Sequence, residues 1–115
     1  MAVIEIWHNP RCSKSRQTLA LLEERGTPPK VRRYLEDAPD EAELRAALAA
    51  LGMTASALIR NKESVYRDLG LGKDSDETAL LTAMVAHPIL IERPIVFVGD
   101  RAAIGRPPEA VLEIL

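Results

Sequence analysis

The chain has 115 residues, of which 47% are hydrophobic and 28% charged, and its formal net charge is −2. That length suits one compact domain over residues 1–115 with a buried core, and the balance excludes a disordered chain. The small negative charge argues against a nucleic-acid protein resting on bulk charge, although basic residues cluster locally enough for a small-anion site.

Residues 2–7 read as a strand, with Val3, Ile4, Ile6 and Trp7 as β-formers. An apolar run on both faces suggests the middle of a sheet covered by helices. Glu5 interrupts the run, so it does not resemble a signal peptide, and no stretch reaches the length of a membrane span. Asn9-Pro10 is a turn signal that stops the strand.

Ser13 to about Arg25 reads as a helix with Thr18, Leu19 and Leu22 on one stripe, stopped by Gly26. Lys30 to Leu35 reads as a second strand. Strand, helix, strand at this length makes a βαβ unit with parallel strands. The intervening βα loop then lies at the C-terminal end of the first strand, where open α/β sheets place their sites.

The middle of the chain is helical. Asp40 is a plausible N-cap with Glu43 as its capping-box partner, and Leu44, Ala47, Leu48 and Leu51 recur at helical spacing up to Gly52. Thr54 caps a short turn through Ile59. Asn61 to Leu69 forms another short helix. Asp76 caps a helix to about His87, burying Leu80, Leu81, Met84 and Val85, and Pro88 ends it. His87 is best read as a helix C-terminal cap.

Pro94 to Val98 is a strand, and Gly99-Asp100 turns it into a hairpin with Arg101 to Ile104. Pro107-Pro108 opens a final helix with Ala110, Val111, Leu112 and Leu115 on its apolar face. The order is βαβ, a helical insertion over about 38–88, then ββα.

Cys12 is the single cysteine, so any disulfide must be intermolecular. A reducing cytoplasm keeps such a thiol free. Its place at a helix N-terminus, among Arg11, Lys14 and Arg16, favours a reactive thiolate over a buried inert one. Ser15 stands where a C-x-x-C motif would carry the resolving thiol, and its hydroxyl can donate to the Cys12 sulfur or serve capping alone. His8 is either a base or electrostatic partner of Cys12, or an ordinary loop histidine. Arg60, Arg93 and Arg106 are each held by local breakers. Arginine grips oxyanions bidentately, and for each alone the competing reading is surface pairing with carboxylates. Together with the helix N-terminus they suit a small oxyanion attacked by sulfur.

These residues resemble the glutaredoxin-linked arsenate reductase family, the ArsC type with a thioredoxin-like fold. The resemblance rests on His8-Asn9-Pro10-x-Cys12-x-x-Ser15-Arg16, Tyr34-Leu35-Glu36, Leu58-Ile59-Arg60, His87-Pro88-Ile89-Leu90-Ile91-x-Arg93-Pro94-Ile95-Val96 and Gly105-Arg106-Pro107-Pro108-Glu109. It implies a thioredoxin/glutaredoxin-like α/β fold with a four-stranded mixed sheet. Cys12 is then the thiolate that attacks arsenate, Arg60, Arg93 and Arg106 bind the oxyanion, and His8 and Ser15 tune the thiolate. Pro94 is the cis-proline near the site. The resemblance further implies glutathione as co-substrate, glutaredoxin as partner, and no bound cofactor or metal. Ser13-Lys14 replaces the Gly-Thr of the plasmid-borne enzymes, and the chain stops just after its last helix. Both features are similar to the short YfgD-like branch. Two other functions fit the scaffold: a thiol oxidoreductase with another oxyanion or disulfide substrate, and a Spx-like regulator. Ser15 in place of a second cysteine, with all three arginines present, favours an enzyme.

Overall fold

The computed structural model describes residues 3–115, so Ala2 of the first expected strand lies outside the described residues. The contacts divide the chain into two units, residues 3–37 with Arg93–Leu115, and Ala38–Glu92.

The first unit is a four-stranded mixed sheet with a thioredoxin-like order. Strand β1 (Ile4–Trp7) leads through helix α1 (Ser13–Glu24) to β2 (Lys30–Arg32), which pairs parallel to β1. Strands β3 (Ile95–Val98) and β4 (Arg101–Ile104) form the hairpin, and β3 runs antiparallel to β1, giving the order β2-β1-β3-β4. The apolar β1 is therefore an inner strand. Ile6, Leu22, Val96 and Val111 are fully buried together, with Ile4, Leu19, Val98, Ala103 and Ile114 packed on them. Burying side chains of this size is worth about 1.5–3 kcal/mol each, which makes this cluster the anchor of the unit.

Two elements here differ from the sequence expectation. β2 stops at Arg32, because the Arg33 carbonyl accepts the N–H groups of Glu36 and Asp37 and turns the chain. The last helix is a 3₁₀ run over Pro108–Ile114. Its three-residue period puts Pro108, Val111 and Ile114 on one side. Pro108 and Val111 are buried and Ile114 packs on the core, whereas Leu115 is exposed.

The second unit is helical: α2 (Glu41–Leu51), α3 (Ala55–Leu58), α4 (Ser64–Asp68), α5 (Glu77–Ala86) and a 3₁₀ turn at Pro88–Leu90. Asp40 and Glu43 complete the capping box on α2, and Gly52 ends it with φ of 67°. That left-handed conformation suits glycine, which has no Cβ to clash. Thr54 and Asp76 cap α3 and α5 through their side-chain oxygens. On α5 the buried set is Leu80, Leu81, Ala83 and Met84. Val85 is only half-buried, because it points to the flank of that stripe. Ile59 bridges Ile91, which holds the start of the 60–63 turn against the segment leaving the 3₁₀ turn.

Candidate active site

The loop from β1 to α1 is built by its own backbone. The His8 N–H donates to the Arg32 carbonyl at 2.8 Å, tying the loop to the neighbouring strand. The Asn9 carbonyl accepts the Cys12 N–H, and its Oδ1 accepts the Arg11 N–H, both at 3.0 Å. This Asx turn presents Cys12 at the N-cap of α1 in an extended conformation, φ −92° and ψ 124°. Arg16 closes the arrangement by donating Nη1–H to the Pro10 carbonyl at 2.9 Å. Asn9 is 4% exposed, and its structural role exceeds the simple turn signal that its sequence carries.

The Cys12 thiol is partly buried, which alone pushes its pKa up. The Ser15 N–H, the Arg93 guanidinium, the Lys14 N–H and the charge of Arg106 act in the opposite sense and outweigh burial, so the thiol lies below its ordinary value. The sulfur makes no conventional capping bond, yet it sits where the unpaired N–H groups of the helix converge. Arg106 Nη2 approaches Sγ at 3.4 Å, while Arg106 Nε donates to the Arg93 carbonyl at 2.8 Å.

Those arginines are positioned by the hairpin. Arg93 is buried, and the Arg93–Pro94 and Arg106–Pro107 peptides are cis. The Gly105 N–H donates to the Pro94 carbonyl at 3.0 Å. A Cβ on Gly105 would collide with Thr18 Oγ1 and meet Pro94 Cγ at 2.8 Å. Bare backbone at Gly105 thus lets the end of β4 reach α1, and Arg106 follows directly.

Ser15 does something different from the bond considered for it. Its side chain is fully buried. Its hydroxyl oxygen accepts the Asn9 N–H at 3.0 Å and lies 2.6 Å from His8 Nδ1. With no exposure and no other acceptor among the described residues, the hydroxyl proton belongs on the hydrogen bond to Nδ1. Ser15 therefore reaches the sulfur through its backbone N–H and reaches His8 through its side chain. Burial first, then Arg33 and Arg16, hold the His8 imidazole below its usual pKa. A neutral imidazole brings no positive charge to Cys12.

A family model described as the ArsC family matches residues 7–114. The chain belongs to the ArsC family. It is 54% identical to an uncharacterised Escherichia coli K12 protein, YfgD, over 97% of this chain and 96% of that protein. It is 47% identical to an arsenate reductase of Neisseria meningitidis serogroup A over all of both chains. The solved structure of an arsenate reductase from Vibrio cholerae superposes with a TM-score of 0.95 at 49% identity, covering 99% of this chain and 98% of that one.

Within this ArsC-family chain the helical unit holds Arg60. The Arg60 N–H donates to the Leu90 carbonyl at 2.7 Å. The guanidinium donates to Glu63 at 3.0 Å through Nε and to Glu92 at 2.6 Å through Nη1. These carboxylates outweigh the effect of burial and raise its already high pKa. His87 forms the C-cap of α5 through its N–H to the Ala83 carbonyl. Among the described residues no group of three His, Cys, Asp or Glu side chains could hold a metal ion, and no helix is long and apolar enough to cross a membrane.

Proposed function

We propose that this chain reduces arsenate to arsenite, with glutathione and glutaredoxin supplying the electrons. The observation that carries the reading is a single thiolate flanked by two arginines, in a chain 47% identical to an arsenate reductase over its full length. The Cys12 thiolate attacks arsenic and displaces an oxygen, which leaves as water after taking up protons. Arg93 and Arg106 neutralise the oxyanion as charge builds on it, the kind of preorganised stabilisation that lowers such barriers most. The glutathione thiolate then attacks Cys12 Sγ. The sulfur–arsenic bond breaks, its electron pair stays on arsenic, and arsenite leaves as a disulfide forms between Cys12 and glutathione. Glutaredoxin reduces that disulfide, because Ser15 offers no internal thiol.

His8 and Ser15 act as positioning residues of the loop. Arg60 joins the substrate arginines on the strength of the family resemblance. The chain works as a single ArsC-type domain over residues 1–115, with 38–88 as its helical insertion, in the reducing cytoplasm that keeps a lone thiol free.

The test is arsenate-dependent NADPH oxidation with glutathione, glutaredoxin and glutathione reductase. Wild type should turn over and Cys12→Ser should not. Absence of turnover by wild type, or equal turnover by Cys12→Ser, overturns the assignment.

A further inference from the structure

Beside the thiol loop lies a cleft of about 250 Å³, lined by His8, Asn9, Pro10, Arg11, Arg33, Leu35 and Glu36. None of the sulfur chemistry above uses it. The His8 ring is only 5% exposed, and its Nδ1 is committed to Ser15. Because the Ser15 proton points to Nδ1, the neutral ring carries its own proton on Nε2. Nε2 has no protein partner among the described residues, so a buried histidine lining a cleft is left with an unused donor. Arg33 lies close enough to act on the charge of His8. Neither Arg11 nor Arg33 forms an ion pair with a carboxylate among the described residues, and Glu36 pairs with no cation there. Two guanidiniums, an imidazole N–H and one carboxylate match a ligand end that bears both a carboxylate and an ammonium.

We propose that this cleft binds the free amino-acid end of the thiol co-substrate, with Arg33, Arg11 and His8 Nε2 on its carboxylate and Glu36 on its ammonium. The inference rests on the reading that a glutathione-type thiol resolves Cys12. Glutathione carries such an end on its γ-glutamyl residue, separated from the thiol by a flexible spacer. Arg11 directly precedes Cys12, and the Asn9 carbonyl holds the Cys12 N–H at 3.0 Å, so the cleft and the nucleophile are built by one loop. A thiol anchored there meets Cys12 Sγ as a neighbour instead of by random encounter.

The test uses the whole chain with Cys12, its single cysteine, carried as a mixed disulfide with thionitrobenzoate. The incoming thiolate attacks Cys12 Sγ, the existing S–S bond breaks, and the coloured thiolate leaves with the electron pair. Glutathione should release it with saturating concentration dependence, and S-methylglutathione should compete. Mercaptoethanol, which lacks the charged end, should show no saturation. Arg33→Gln should lower the ratio of the glutathione rate to the mercaptoethanol rate about tenfold, the loss of one good charge-assisted contact. Glu36→Gln should lower the ratio for glutathione but not for 3-mercaptopropionate, which has no ammonium. Unsaturated release by glutathione with an unchanged ratio in Arg33→Gln overturns the cleft. Equal loss for both acidic thiols in Arg33→Gln, with Glu36→Gln silent, reduces it to general attraction of anions and overturns the assignment to an amino-acid end. Arsenate is absent from this assay. Saturation here without arsenate turnover therefore counts against the proposed substrate alone, and turnover without saturation counts against the cleft alone.

Discussion

Arg106 Nη2 lies 3.4 Å from Cys12 Sγ, although the two residues are 94 positions apart in the chain. The contact exists because the end of β4 and the start of α1 approach without a side chain between them at Gly105. It joins a nucleophile to the charge that it needs. A thiolate beside a guanidinium is stabilised as an ion, and in the proposed reaction the same guanidinium also serves the oxygens of arsenate.

Removing that charge should therefore act twice. In Arg106→Ala the thiol pKa should rise toward its ordinary value, since a favourable charge on the thiolate is gone while burial and the helix N–H groups stay. Thiolate is the reactive form, so iodoacetamide alkylation should shift its midpoint to higher pH and slow at neutral pH. Arsenate turnover should fall by about 10²-fold in kcat/KM, the usual scale for one donor to a developing oxyanion. Arg106→Ala with an unmoved alkylation midpoint would show that the 3.4 Å contact does not act on the thiol.

Ser15→Ala should separate the two connections of Ser15. The substitution leaves the Asn9 N–H and His8 Nδ1 without partners inside the protein. Orphaned buried groups cost about 1–3 kcal/mol, which a urea titration should register. The Ser15 N–H survives the change, so the alkylation midpoint of Cys12 should stay within about half a pH unit, below the spread among ordinary protein cysteines. A large rise in that midpoint would mean that the hydroxyl, and not the backbone, governs the sulfur.

His8 gives stability a pH dependence with a defined sign. Its folded-state pKa is below 6.5, the ordinary value, because of burial and then Arg33 and Arg16. The unfolded chain therefore binds the proton more readily. The contribution is complete above 6.5 and is lost as pH falls through the folded pKa. Urea midpoints of wild type should drop between neutral pH and mild acid more steeply than those of His8→Gln. Parallel curves for the two proteins would remove His8 as the source.

Gly105→Ala tests the packing that sets the arginine in place. The new methyl meets Thr18 and Pro94 inside van der Waals distance, with Thr18 fully buried and therefore unable to swing out freely. Overpacking of this kind costs about 1–3 kcal/mol. The melting temperature should fall, and arsenate kcat/KM should fall more than in a variant of equal stability changed within the helical unit. Thr18→Ala in the same background should restore part of both.

Legibility from sequence followed the range of the forces involved. The β1-α1-β2 unit, the Asp40–Glu43 capping box and the glycine stops depend on neighbours a few residues apart, and all were readable. The length of β2 and the 3₁₀ form of the C-terminal run were not, because they depend on the turn after Arg33 and on the way Val111 and Ile114 meet the sheet. At the site, Cys12 announced itself by its polar surroundings. The proximity of Arg93 and Arg106 to Cys12 did not follow from any local pattern, since the pairing of the hairpin with β1 that brings them there is a long-range feature. Local breakers singled those two arginines out, but for each alone surface pairing was the competing reading, and their role on the oxyanion came from the family resemblance. Asn9 went unmarked as a site-shaping residue, and its Asn-Pro-x-Cys context, typical of an Asx turn, was the available signal.

Arg60 presents a choice between two roles, and two readouts separate them. Its guanidinium is held by Glu63 and Glu92 at 3.0 and 2.6 Å, and its backbone N–H is held by Leu90. If these ion pairs are its whole purpose, Arg60→Ala should cost stability and little else. Partly exposed pairs of this kind are worth up to about 1 kcal/mol each, so the urea midpoint should move modestly. If Arg60 also binds the oxyanion, the arsenate KM should rise by about tenfold or more at substrate concentrations where wild type saturates, because a charge-assisted contact is lost. Glu92→Gln supplies the control. It weakens the same ion pair while leaving the guanidinium, so it should reproduce the stability change and not the change in KM. Equal effects of both variants on KM would assign Arg60 to the architecture of its own unit and leave Arg93 and Arg106 as the substrate arginines.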